Sequence, residues 1–189
     1  MSGLPELARY NKKDEIVRLL QNGADINEQD SIGYTALSYA CQNNHTELVQ
    51  ILLQNKKINV NLHNNYVWSP FYVACVHGSY ECVLLQDPRV DVNMANNWGW
   101  SPLMYACYFG NTKIVQLLIS FGRNIDILKK TTKDDVIKSG STALDMAKQR
   151  NNTDIVQLLE QYQNNPKETQ KTIRNQLNLK GNKIKYKII

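Results

Sequence analysis

Cysteine is scarce: Cys41, Cys75, Cys82 and Cys107 are the four in 189 residues, and none stands in a Cys-x-x-Cys pair. That excludes a dense disulfide scaffold and leaves no zinc signature. No apolar run approaches the roughly 20 residues that cross a bilayer. The opening, MSGLPELARYNKKDE, lacks the apolar core of a secretory signal and carries acids early. A cytoplasmic protein is therefore expected, with the nucleus as the other compatible compartment. The sequons Asn44-His45-Thr46 and Asn151-Asn152-Thr153 then read as chance in an Asn-rich chain.

Histidine is rarer still. His45, His63 and His77 fall in an inter-helix turn, a hairpin tip and a helix end, none with a paired acid at useful spacing. No GxxxxGK[ST], GxGxxG or HExxH pattern occurs. Asp134 and Asp135 form an acidic pair without further ligands in sequence reach. The expectation is no catalytic residue, no cofactor, no metal and no enzyme.

Acid is nearly missing from one end. Residues 163–189 hold Lys167, Lys171, Arg174, Lys180, Lys183, Lys185 and Lys187 against the single acid Glu168, while the preceding body is close to neutral. An electrostatic partner is sought at that end.

What the chain has in plenty is one phrase. "GYTALSYACQNNHTELVQILLQ" (33–54), "VWSPFYVACVHGSYECVLLQ" (67–86), "GWSPLMYACYFGNTKIVQLLIS" (99–120) and "GSTALDMAKQRNNTDIVQLLEQ" (140–161) are versions of it, and "ELARYNKKDEIVRLLQNGADIN" (6–27) is a shortened one. The phrase encodes a helix hairpin. Thr35, Ser69, Ser101 and Thr142 stand where a capping hydroxyl belongs, with Pro70 and Pro102 next at the first helical position. Leu37, Ala40 and Cys41 make an apolar stripe, as do Leu103, Ala106 and Cys107. Asn44, Gly78, Gly110 and Asn152 are expected in the left-handed turn between helices. Cys41, Cys75 and Cys107 share a phrase position and are expected as stacked, inert core residues.

These residues together resemble the ankyrin repeat, over about residues 4–162. "NGADIN" (22–27) and "DPRVDVN" (87–93) match the family's end-of-repeat phrase. The family's histidine is replaced by Ser38, Tyr72, Met104 and Asp145. The resemblance implies an all-α helical solenoid of about five stacked units including caps. The array is expected over 1–162, as units 4–31, 32–64, 65–97, 98–138 and 139–162, followed by a basic C-terminal extension over 163–189. The interval from Ser69 to Ser101 is 32 residues, short because the second helix near "YECVLLQD" lacks two residues, and that helix is expected to be irregular. The interval from Ser101 to Thr142 is 41, which places an insertion at 126–141 in the hairpin loop of the unit 98–138. Such an insertion is either a binding element or a tolerated loop.

Aromatics concentrate in "NNWGWSPLMYACYFGN" (96–111), with Trp98, Trp100, Tyr105, Tyr108 and Phe109 in sixteen residues. Tyr34, Trp68 and Trp100 align just before the capping residue, and Tyr66 and Trp98 align two residues earlier, where Ile32 stands in the preceding repeat. The resemblance implies that both positions line a concave groove, joined by Gln42, Asn43, Val76, His77, Tyr108 and Phe109 from the ends of the first helices. Exposed rings in a row are the composition of an interface hot spot; packing of the rings on one another is the competing reading. Trp68 and Trp100 are the first expected anchors.

After Pro166 the phrase stops. "KETQKTIRNQLNLKG" has Ile173 and Leu177 on one side of a short helix, and "NKIKYKII" alternates Ile184, Tyr186 and Ile188 with Lys183, Lys185 and Lys187. Arg174, Lys183, Lys185, Tyr186 and Lys187 are the expected tail contacts. The function expected is a non-enzymatic scaffold or adaptor that binds a protein partner in the aromatic groove, monomeric or within a hetero-complex and not inserted in a membrane. The alternatives are a structural subunit docked by groove and tail, or polyanion or nucleic-acid binding led by the tail.

Overall fold

Four helix starts are written by a hydroxyl. Thr35, Ser69, Ser101 and Thr142 hold extended backbone, and each accepts a hydrogen bond from the amide three residues on, satisfying an N–H that a helix start leaves bare. Pro70 and Pro102 follow at the first helical position, where a missing N–H costs nothing.

The computed structural model describes residues 3–79 and 83–179, and holds ten α-helices and a 3-10 turn among them. They pair in chain order. α1 (Leu4–Arg9) goes with α2 (Lys13–Gln21), α3 (Ala36–Gln42) with α4 (Thr46–Gln54), and α5 (Pro70–His77) with the 3-10 turn Val83–Gln86. α6 (Pro102–Tyr108) goes with α7 (Thr112–Ser120) and α8 (Ala143–Gln149) with α9 (Thr153–Asn164), and α10 (Pro166–Gln176) stands after the last pair. No strand occurs among the described residues; Gln29 and Thr35 form one isolated bridge.

The left-handed residue between paired helices is Asn11, Asn44, Gly78, Gly110 or Asn151. Asn152 is therefore a correction. Its φ is −80°, it caps α9, and its Nδ2 donates to the carbonyls of Cys107 and Tyr108 at 2.7 and 3.3 Å. Those carbonyls end α6 and have no partner within it, so the second of two adjacent asparagines is spent on the neighbouring repeat.

First helices stack on one another in the order α1, α3, α5, α6, α8, and the second elements form the other layer, with α7 against α9 and α4 against the 3-10 turn. Between the layers lies one apolar core that includes Leu4, Leu37, Phe71, Leu103 and Met146. Cys41, Cys75 and Cys107 are all buried in it at one repeated position, and burial pushes the Cys107 thiol far up, away from the reactive thiolate.

After the short interval from Ser69, the described residues hold the 3-10 turn Val83–Gln86 at the level of the other repeats' second helices, an irregular element as expected. Two arginines tie the strand of chain that follows. Arg89 pairs with the Asp87 carboxylate at 2.6 Å and donates to the Leu53 carbonyl at 3.0 Å. Arg123 donates to the carbonyls of Asp87, Pro88 and Val90 at 2.8, 3.3 and 2.6 Å. Charge-assisted donors thus take acceptors that regular structure leaves open there.

α10 docks on α7 and α9 with Ile173 buried. Gln170 Nε2 donates to the Ile119 carbonyl and Arg174 Nη1 to the Ser120 carbonyl, both at 2.9 Å. These acceptors end α7, at the negative pole of that helix. This corrects the expectation that Arg174 serves as a contact for an outside partner: it fastens α10 to the array. Lys183, Lys185, Tyr186 and Lys187 lie outside the described residues.

Candidate protein-binding face

The fingers between repeats are shaped by one device, an Asp or Asn at a repeated position. Asp30, Asn64 and Asn96 each turn a side-chain oxygen to the amides two and four residues ahead: Ile32 and Tyr34 at 3.1 and 2.8 Å, Tyr66 and Trp68 at 2.9 Å each, Trp98 and Trp100 at 3.0 Å each. This is the Asx device for closing a turn without a strand partner. In the last finger Thr131 does the same work, its Oγ1 accepting from the Ser141 amide at 3.1 Å and its amide donating to the Ser141 carbonyl at 3.0 Å. The insertion is thereby confined to residues 132–139, and its Thr132 amide donates to the Trp98 carbonyl at 3.0 Å, laying the longer finger on its neighbour.

A second row escaped the sequence reading. Asn27, Asn61 and Asn93 accept from the amides of Asn59, Asp91 and Asp126 at 2.7, 2.8 and 3.0 Å. Their Nδ2 groups donate to the carbonyls of Lys57, Arg89 and Asn124 at 3.0, 2.8 and 2.6 Å. Each asparagine thus reads both faces of the next repeat's backbone. The signal was present as Asn at intervals of 34 and 32 residues, and it stops at the exposed Leu128, where the inserted finger begins.

The aromatic residues divide into cement and display. Tyr34 and Trp100 keep only 7 % and 4 % of their surface exposed, so the expectation that they line an open groove is corrected. The physical reason is local. The residue before the cap turns inward, where Tyr34 meets Tyr39 with ring centroids 5.1 Å apart and Trp100 meets Tyr108 at 5.2 Å. Trp68 is half-buried and stacked on Tyr72 at 5.6 Å. By contrast Tyr66 and Phe109 each show 52 % of their surface.

Both belong to one continuous chain of rings. Tyr66 touches Trp68 at 6.0 Å, Trp68 touches Tyr72, Tyr72 touches Tyr105 at 5.9 Å, and Tyr105 stacks on Phe109 at 4.4 Å. Phe109 then meets Tyr108 at 5.0 Å, and Tyr108 meets Trp100. The inner members are held on several sides, and the two exposed ones stand on that rigid floor. Trp98 is half-buried at its finger, above the inserted loop.

The polar members of the face sit at first-helix ends. Gln42 Nε2 lies 3.2 Å from His77 Nε2, and desolvation lowers the His77 pKa from its ordinary value, favouring the neutral ring. Asn43 Nδ2 donates to the Tyr39 carbonyl at 3.1 Å. Tyr39 donates its hydroxyl to Asp30 at 2.8 Å; burial first, then that carboxylate, pushes the phenol up to about 12. Cations mark the two ends of the row, Arg9 at 5.9 Å from the Tyr39 ring and Arg150 at 4.8 Å from the Tyr108 ring. Among the described residues no cluster of His, Cys, Asp and Glu fits a metal ion, and no helix is long and apolar enough to cross a membrane.

Two layers of stacked helix pairs, with fingers and helix ends displaying side chains at one-repeat intervals, define a helical-repeat scaffold. The family model described as ankyrin repeats, three copies, matches residues 6–86 and 83–171. The chain belongs to the ankyrin-repeat family, and the match runs into α10, the helix fastened by Gln170 and Arg174. Repeats of this family generally mediate protein–protein interactions and are typically non-enzymatic modules. A comparison with curated proteins gives no match.

Proposed function

We propose that the protein holds a protein partner on the face built from first helices and fingers, with Tyr66 and Phe109 as its anchors. Trp98, Trp68, Tyr108, Gln42, Asn43 and His77 frame them, and Tyr34 and Trp100 support the floor from beneath. The observation that carries this is the half-exposure of Tyr66 and Phe109 within one chain of packed rings. Large rings already immobilised by their neighbours lose little side-chain freedom on binding, and truncating such an anchor typically costs about 2 kcal/mol or more. The inserted finger, with Lys129, Lys130, Lys133 and Lys138, is the specificity element beside them.

The test is co-purification from the native source with three baits. These are the intact chain, a Tyr66→Ala/Phe109→Ala variant, and a chain truncated after Leu179, which keeps α10 in place. A partner retained by the truncated bait and lost by the double variant supports the face. A partner lost by truncation and released steeply by salt supports the lysine-rich terminus instead.

A further inference from the structure

Three consecutive first helices and the turns that end them carry no formal charge: residues 36–44, 70–79 and 102–111 contain no Lys, Arg, Asp or Glu. His77, within this stretch, has its imidazole pKa lowered by desolvation, which favours the uncharged form. The helices of the floor thus present rings and amides without formal charge, bounded by Arg9 and the Asp30 carboxylate at the Tyr39 end and by Arg150 at the other. A segment seated there has no ion pair to gain in the middle, and any charge it carried would be desolvated without compensation.

The strip also has a period. Ile32, Tyr66 and Trp98 repeat once per unit along the fingers, and Asn43, His77 and Phe109 repeat once per unit along the helix ends. Packed helices lie about 8–10 Å apart, so each row offers one side chain at about that interval. A polyproline II helix turns once in three residues with a 3.1 Å rise, and so presents the same face roughly every 9.3 Å. An α-helix repeats its face about every 5.4 Å, and a strand about every 6.6 Å. Neither keeps step with one contact per repeat.

Hydrogen bonding agrees with the period. A polyproline II backbone makes no internal hydrogen bonds, and its prolines carry no N–H, so a proline-rich segment presents mainly carbonyls that need donors. The second N–H of Gln42 Nε2, beyond the one turned to His77, and the Tyr66 hydroxyl supply neutral donors on this face. Resting on the proposal that this face binds protein, we infer that its occupant is an uncharged, proline-rich segment in the polyproline II form. It lies along the stack with every third residue against one side chain of a row, and any acidic residues flank it near Arg9 and Arg150.

Fluorescence anisotropy with the full chain tests this, using three labelled synthetic peptides of equal length: a Pro-Pro-Leu repeat, a Glu-rich acidic sequence, and an amphipathic helix former. The proline peptide is expected to bind at least about tenfold tighter than the other two and to weaken at least about fivefold in Tyr66→Ala and in Phe109→Ala. Its affinity should change less than about twofold between roughly 50 and 500 mM salt. Thermal melts of the two variants, both altered at exposed positions, control for folding. Tighter binding of the acidic or helical peptide, lost in the same variants, would overturn the proline inference and leave the face intact. Binding by none of the peptides, or binding indifferent to both substitutions, overturns the inference and counts against the face as well.

Discussion

Asn96 donates its amide to the Tyr72 hydroxyl at 3.0 Å across a repeat boundary, while its own oxygen holds the amides of Trp98 and Trp100. Tyr72 stands where the ankyrin pattern has histidine, so here a phenol makes the link between neighbouring repeats. Ser38, at the same position one unit earlier, lies 3.0 Å from Thr35 Oγ1 within its own helix start. Tyr72→Phe keeps the packing and strands the Asn96 donor. The expected loss is about 1 kcal/mol, the low end for a part-buried group, read as a lower urea midpoint with an unchanged m-value.

Val67 occupies, at φ 61°, the finger position that Gly33, Gly99 and Gly140 fill at φ 85°, 81° and 84°. A β-branched residue pays roughly 1–2 kcal/mol for that conformation. Val67→Gly should therefore stabilise the chain, by about 0.5–1 kcal/mol after the extra freedom of the unfolded glycine is counted. Gly99 responds in the opposite direction, because an added Cβ would lie 2.7 Å from the Thr132 backbone nitrogen of the inserted finger. Gly99→Ala should cost about 2 kcal/mol. The pair of thermal unfolding curves checks both signs at once.

Cement and display separate by stability. Trp100→Ala empties a buried site and should cost about 3–5 kcal/mol, with Tyr66→Ala within about 0.5 kcal/mol of the parent. Equal effects on the two unfolding midpoints would contradict the assignment of Tyr66 to the surface.

Acid should loosen the fold through two carboxylates. Asp145 is held below the ordinary range by the Thr142 amide and hydroxyl, and Asp87 by the Arg89 guanidinium and amide. A folded pKa below the unfolded one gives stability that is complete above the unfolded value, about 3.9, and is lost as pH falls through the lowered folded value. Unfolding temperature should fall as pH is taken down from about 5 through the ordinary Asp pKa of about 3.9. Asp145→Asn, which keeps a cap acceptor, should flatten part of that slope.

The repeat was readable because the hydroxyl caps, the proline after two of them and the Ile-Val-x-Leu-Leu closure recur in register. Each of these is a local backbone demand. Ring orientation was not readable, since Trp98 and Trp100 differ by two positions in one turn and the Asn96 oxygen holds both of their amides alike. Arg174 misled for a related reason. Its charge was visible in a basic segment, but the carbonyls that end α7, more than fifty residues earlier in the chain, were not. The asparagine ladder lay open at Asn27, Asn61 and Asn93, hidden only because asparagine is so common in this chain.

Site-specific photo-crosslinking reads the central claim most directly. A benzophenone side chain is placed at position 66, at position 109, or at the exposed Lys113 on the second-helix layer, and each chain is irradiated with its co-purified partner. The account predicts covalent adducts to the same partner segment from positions 66 and 109 and none from position 113. Adducts from position 113 alone would contradict it.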